Sequence, residues 1–202
     1  MKETPIFEEV FTQLIKLPGF WLKVLIGGLL SFIPIVNIFA FGYLYRMSLS
    51  VRQSGQPVLP EWKDCPGLFT DGVKFSVVWL VYWLLPILLV IPFGWLMTFV
   101  GLDALTNLVM WVVFLFSTVL FSSALYRYNR RKNFKDLFDM LLILRMTRKE
   151  LPRMIVPALV FLGIFVLSLP FYGFALFAGF LLLLTYTNIR YRSIEQTKVA
   201  QS

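Results

Sequence analysis

The chain has 202 residues, 58% of them hydrophobic and 15% charged, with 19 Lys and Arg against 11 Asp and Glu. A soluble domain carries about 45–50% apolar and about 25% charged residues, so this balance describes one membrane domain with no polar block long enough to fold separately. The lack of His and the single Cys, Cys65, exclude intrachain disulfides, Cys/His metal clusters, histidine haem ligation and histidine acid–base chemistry.

The opening, MKETPIFEEVFTQLIKLPGF, carries Glu3, Glu8 and Glu9 and has no basic n-region or small-residue cleavage site. A signal peptide is therefore not expected. Thr4 can cap a helix with Pro5 at its first position and Glu8 and Glu9 near its first turn. Phe7, Val10, Phe11, Leu14 and Ile15 then share a face, which predicts an amphipathic interfacial helix over 5–17.

A first apolar block, Val24–Tyr45, has "FIPIVN" (Phe32–Asn37) at its centre. Its length suits one span, and Pro34 suits a short or re-entrant hairpin over 19–45. Asn37, beside that break, is a candidate polar or ion contact where helix carbonyls are freed. The plainer role is to satisfy backbone groups near Pro34 or to bond across helices.

The polar stretch that follows contains Leu59-Pro60-Glu61-Trp62. An amphipathic segment is expected over 60–73, built on Pro60, Trp62, Leu68, Phe69 and Val73 and broken by Pro66-Gly67. Glu61, Asp64 and Asp71 are the one carboxylate group able to act as acid and base or to hold a divalent metal. Their simpler reading is favourable first-turn charge on a surface helix beginning at Pro60. No nucleophile–base constellation accompanies them, so a non-enzymatic protein with no cofactor and no metal is expected.

The second block, Phe75–Tyr126, is more than twice the roughly 20 residues that one span needs, so it reads as a hairpin over 75–126. Pro92 within Ile91–Trp95, and Gly101–Asn107, mark its turn. Asp103 there could attract a cation, or more simply serve as helix N-cap for Ala104–Trp111.

The run RYNRRKNFK follows, with Arg127, Arg130, Arg131, Lys132 and Lys135. Each basic residue close to a membrane surface attracts anionic headgroups by about 1 kcal/mol. Asn133 can cap, Asp136 suits a first turn, and Phe134, Leu137, Phe138, Leu141 and Leu142 form the apolar face of an amphipathic helix expected over 134–149. The third block, Met154–Ile189, makes two short crossings over 154–189 if broken at Pro170, and 193–202 reads as a polar tail.

If each block is a hairpin, all 19 basic residues share one side. The positive-inside rule makes that side cytoplasmic, with both termini inside. A single first span, leaving Lys2, Lys16 and Lys23 outside, is the alternative. The fold class is thus all-α integral membrane, with three helical hairpins each preceded by an amphipathic helix. Each hairpin ends in Tyr next to Arg, at Tyr45-Arg46, Tyr126-Arg127 and Tyr191-Arg192. Tyr suits the headgroup level and Arg can snorkel to phosphate, so Arg46, Arg190 and Arg192 join the headgroup contacts. Small residues at Gly27 and Ser31, and at Ala175 and Gly179, allow close helix approach, with packing inside one chain favoured over a homo-oligomer interface.

The segments Gly19–Arg46, Leu59–Phe75 and the Phe-rich helix after Asn133 leading to Glu150–Val156 resemble a large prokaryotic membrane family, the domain of unknown function numbered 4013. The likeness extends over roughly residues 17–190. That family has a second aromatic soon after its Leu-Pro-Glu-Trp, where this chain has Cys65-Pro66. The resemblance implies a multi-pass protein of the prokaryotic cytoplasmic membrane and supplies no activity. The expected role is an oligomeric scaffold or bilayer-shaping protein associated with anionic lipid. A channel lined by backbone, Ser117, Thr118 and Ser122 is the alternative, and a lipid enzyme using Glu61 with Arg46 or Arg52 a remote one. Nucleic acid is not expected as a partner, because orientation accounts for the +8 net charge.

Overall fold

A bilayer offers no water to backbone N–H and C=O groups, so an apolar chain must pair them internally. The computed structural model does this with helices alone among the described residues, which are 7–167 and 171–199, the side chains at 131, 136, 167, 198 and 199 excepted. Among the described residues three helical runs are long and apolar enough to cross a membrane: Cys65–Phe99, Asp103–Arg130 and Tyr172–Thr197. The chain divides into two compact units, one of residues 1–76 and 159–202 and one of residues 77–158.

In the first unit, α1 (Phe7–Ile15) buries Val10 and Leu14 and sets Phe7 edge-on against Tyr186, 5.4 Å between ring centres. A bend of 93° separates it from α2 (Phe20–Phe32), which has 13 residues. At 1.5 Å per residue α2 is about 20 Å long, short of the roughly 30 Å hydrocarbon core. The chain reverses through Ile33–Val36, with Ile35 in the left-handed region at φ 73°, and continues as α3 (Asn37–Ser54).

Both α2 and α3 pack against α8 (Tyr172–Val199). Glycines set the distance. A Cβ on Gly27 would stand 2.2 Å from the Phe177 ring, and one on Gly28 2.1 Å from Phe174. Gly179 likewise receives the Phe161 ring, so aromatic side chains of the same unit fill both small-residue stripes. The tightest approach is between α3 and α4 (Cys65–Trp79), which run antiparallel. A Cβ on Gly42 would lie 1.9 Å from the Leu68 carbonyl oxygen, and one on Gly72 1.9 Å from that of Ile38.

In the second unit, a π-helical turn (Leu80–Leu84) leads into α5 (Leu85–Phe99). Pro86 cannot donate to the Tyr82 carbonyl and its ring crowds that oxygen. The turn widens, and the Leu85 N–H reaches back five residues to Leu80. After Gly101 (φ 81°) the chain returns as α6 (Asp103–Arg131), whose Thr106 hydroxyl donates to the Gly94 carbonyl at 3.2 Å. The Trp83 indole N–H donates to Thr118 at 3.1 Å, and the Tyr82 hydroxyl to the Leu137 carbonyl. A short 3-10 turn (Phe134–Phe138) precedes α7 (Met140–Leu167).

Several expectations change. No helix starts at Pro60: α4 begins at Cys65, and Pro66-Gly67 lies in its first turn, where a missing N–H costs nothing. Pro92 does not break its helix but sits inside α5, and the reversal comes at Val100–Leu102. Asp103 is the first residue of α6 rather than its cap, with no side-chain cap at Leu102. Asn133 caps only the 3-10 turn, accepting from the Lys135 N–H, while Asp139 accepts from Leu142 at the start of α7. The phase shift at that turn leaves Phe138 84% exposed, so the expected apolar face over 134–149 is not one helix stripe. The amphipathic segment and the apolar arm after it are one helix, α7, and the polar tail is helical to Val199. Thr4, Pro5 and Pro170, and the side chains of Arg131 and Asp136, lie outside the described residues.

The α3–α4 crossing makes a testable demand. Gly42→Ala or Gly72→Ala drives a methyl into backbone, which cannot rotate away, and overpacking of this kind costs about 1–3 kcal/mol. Gly163→Ala, with nothing within 4 Å of its Cβ position, is the control. Thermal melts in mild detergent should fall for the first two substitutions and hold for the third.

Candidate functional site

The close crossing of α3 and α4 brings the side chains one turn beyond it within reach of each other. Arg46, four residues after Gly42 on α3, donates through Nε to Asp71 Oδ2 at 2.9 Å. One terminal nitrogen donates to Asp64 Oδ2 at 2.8 Å, and the other to the Lys63 carbonyl at 3.0 Å. Lys74 completes the cluster, donating to Asp71 Oδ1 at 2.9 Å and standing 5.7 Å over the Tyr45 ring. The planar guanidinium suits this arrangement because its fixed fork meets two carboxylates and a carbonyl at once.

Asp64 has a second task. It lies in the left-handed region at φ 61°, which Asp tolerates better than most side chains, and its Oδ1 accepts from the Gly67 N–H at 3.1 Å. Gly67 must be small here, since its Cβ would meet Asp64 Oδ2 at 2.0 Å and Arg46 at 2.1 Å. The bond from Arg46, followed by that from Gly67, holds the Asp64 carboxyl below its ordinary range. Glu61 is likewise lowered by its ion pair with Lys63.

Trp62, in the same segment, is half-buried. Its ring stacks on Tyr43 at 4.2 Å and 20°, and faces Phe177 at 6.1 Å. The preceding Leu59 carbonyl accepts from Lys23 at 3.0 Å, which ties the segment to α2. Leu59–Gly67 is therefore a strap that crosses from α2 to α4 and is clamped onto α3 by Arg46.

Two of the carboxylates read from the sequence, Asp64 and Asp71, do converge, and the cation between them is the Arg46 guanidinium. Glu61 faces Lys63 instead. Among the described residues no three of His, Cys, Asp and Glu gather as a metal site. Asn37 opens α3, its N–H bonded to the Ile33 carbonyl at 3.0 Å. Asp103 is exposed at the α5–α6 reversal.

The remaining basic residues separate into two kinds. Arg130, Lys132 and Lys135 are exposed and Arg127 is half-buried at the end of α6, where Lys132 ends the helix at φ 53°. Arg190 is buried, and Arg192 donates to the Arg52 carbonyl at 2.9 Å and to that of Gln53. Arg192 thus closes the C-terminus of α3, where cations satisfy orphan carbonyls. Tyr45, Tyr126 and Tyr191 are all buried against neighbouring protein. No sequence signal links Arg192 to Gln53, 139 residues away.

The sequence model of the family described as "Protein of unknown function (DUF4013)" matches residues 26–184. No curated protein and no solved structure gives a match.

The clamp predicts two results. Arg46→Gln leaves Asp71 half-enclosed without its main partner, a loss of about 1–3 kcal/mol. Arg46→Lys should recover only part of it, because an ammonium cannot span both carboxylates. Melting in detergent checks both. Asp64 is depressed in the folded state, so its ionised form stabilises the fold above its ordinary value near about pH 3.9. That stabilisation is lost as pH falls through the lower folded value. The melting difference between wild type and Asp64→Asn should therefore be largest near neutral pH and close in acid.

Proposed function

The chain belongs to the DUF4013 family, and from that premise we propose that it is a non-enzymatic bilayer-embedded scaffold that wedges one leaflet and gathers anionic lipid there. The observation that carries this reading is the 93° bend between α1 and a 13-residue α2. A helix too short to cross, joined at a right angle to one with an apolar face, adds area to one side of a bilayer. Amphipathic helices act in this way. In this reading α2 and α3 form a re-entrant hairpin, the spans make further hairpins, and the basic ends of α3, α6 and α8 face the cytoplasm.

The charges support the lipid part. Arg130, Lys132 and Lys135 are exposed at the end of α6, next to exposed Phe134 and Phe138. That pairing of cations and aromatics suits a headgroup layer. The channel alternative has less support. The Thr118 and Ser122 hydroxyls are buried and donate to carbonyls of their own helix, at 2.8 and 2.9 Å. A homo-oligomer would need a face other than the glycine stripes, which aromatic rings of the same unit already fill.

Reconstitution into liposomes with and without phosphatidylglycerol, imaged by electron microscopy, tests the proposal. Curved or tubulated vesicles are expected when anionic lipid is present, with solute flux at the lipid-only level. Vesicles of unchanged shape would overturn it, and protein-dependent flux would favour a channel.

A further inference from the structure

Between α6 and α7 the second unit has an open groove of about 190 Å³, lined by Val112, Phe116 and Val119 on one side and Leu151, Ile155 and Ala158 on the other. Its walls are almost entirely apolar. The turn through 132–139 joins the end of α6 to the start of α7, and the cations of both helices lie in sequence between the two lining stretches, 112–119 and 151–158. The basic end of α6 and the N-terminal half of α7 therefore lie at the same end of it.

That end is strongly cationic. Arg145, Arg148 and Lys149 are exposed within little more than one turn of α7. Arg148 precedes Leu151 by three residues and Ile155 by seven, spacings that put it on the groove face of the helix. Glu150, the acid in this stretch, is 2% exposed and pairs with Arg153 at 3.8 Å. An apolar slot that opens at one end onto clustered guanidinium and ammonium groups is complementary to a molecule with a hydrocarbon tail and an anionic head. A long Arg side chain can follow the slot wall and still reach a phosphate at the interface.

We propose that this groove is a specific binding site for one acyl chain of an anionic phospholipid, with Arg148 holding its phosphate. The site rests on the anionic-lipid reading above but differs from general surface attraction. It assigns one chain to one slot and gives the headgroup one principal partner.

The test uses the full-length protein in liposomes doped with phosphatidylglycerol or phosphatidylcholine carrying a photoactivatable acyl chain. Mass spectrometry then locates the labelled peptides. Phosphatidylglycerol should label 112–119 and 151–158 about fivefold more than phosphatidylcholine, the factor that one basic contact supplies near a membrane surface. Arg148→Gln should remove most of that preference. Ile155→Trp, at a position 48% exposed and able to take a larger ring, should remove label from the groove while α1 and the end of α6 remain labelled. Equal labelling by the two lipids overturns the proposal, and so does groove labelling that Ile155→Trp does not change. A photo-crosslink from position 155 to a second copy of the chain would also overturn it, by assigning the groove to an interface. Groove labelling on vesicles whose shape stays unchanged would keep this site and refute only the bilayer-shaping role.

Discussion

At Gly42 and Gly72 the backbones of α3 and α4 touch, each glycine lying where a methyl would overlap the other helix's carbonyl. Within a bilayer the hydrophobic effect gives helices little reason to associate, so close van der Waals contact has to do it. The contact also determines what lies around it. Because the helices meet there, Arg46 stands one turn away with Asp64 and Asp71 in reach. Because Arg46 holds Asp64, the strap before α4 is drawn down and Trp62 seats on Tyr43. Close approach, ion pairs and aromatic stack form one connected arrangement, and loss of either glycine would loosen all three.

The rest of the first unit extends the same logic with different side chains. Glycines on α2 admit Phe174 and Phe177, and Gly179 admits Phe161. Several polar groups of α8 that would be costly in lipid are matched locally. Thr185 and Thr187 donate to carbonyls four residues back, and Asn188 donates to Ser48 at 2.9 Å. These bonds let a buried polar row pass through α8 without leaving donors unmet.

How much of this could be read in advance depends on range. Helix content and the presence of runs apolar enough to span followed from composition and spacing over a few residues. The Arg46 clamp did not, because Asp64 and Asp71 follow it by 18 and 25 residues and nothing local marks them as its partners. Pro66-Gly67 looked like a helix breaker, and only the Asp64 cap shows that it belongs to a helix start. Tyr beside Arg looked like a membrane-surface pair. At positions 45, 126 and 191 tertiary packing takes the Tyr inside, and pattern alone cannot tell a ring facing lipid from one facing a neighbouring helix. The bonds from Arg192 were equally out of reach, since the carbonyls it closes belong to α3, some 140 residues earlier.

The order in which the chain is made gives the clamp a further meaning. A ribosome delivers α2 and α3 before Asp64 and Asp71 exist, so Arg46 first meets the bilayer without its counter-ions. The packing of α3 around that cation cannot be completed until residue 71 has emerged. The glycine face of α2 then waits for α8, whose Phe174 and Phe177 come from the last stretch of the sequence. The packing of α2 is therefore provisional until Phe174 and Phe177 have been synthesised. A nascent chain cut short before Tyr172 would present the membrane quality-control machinery with an open, glycine-lined groove.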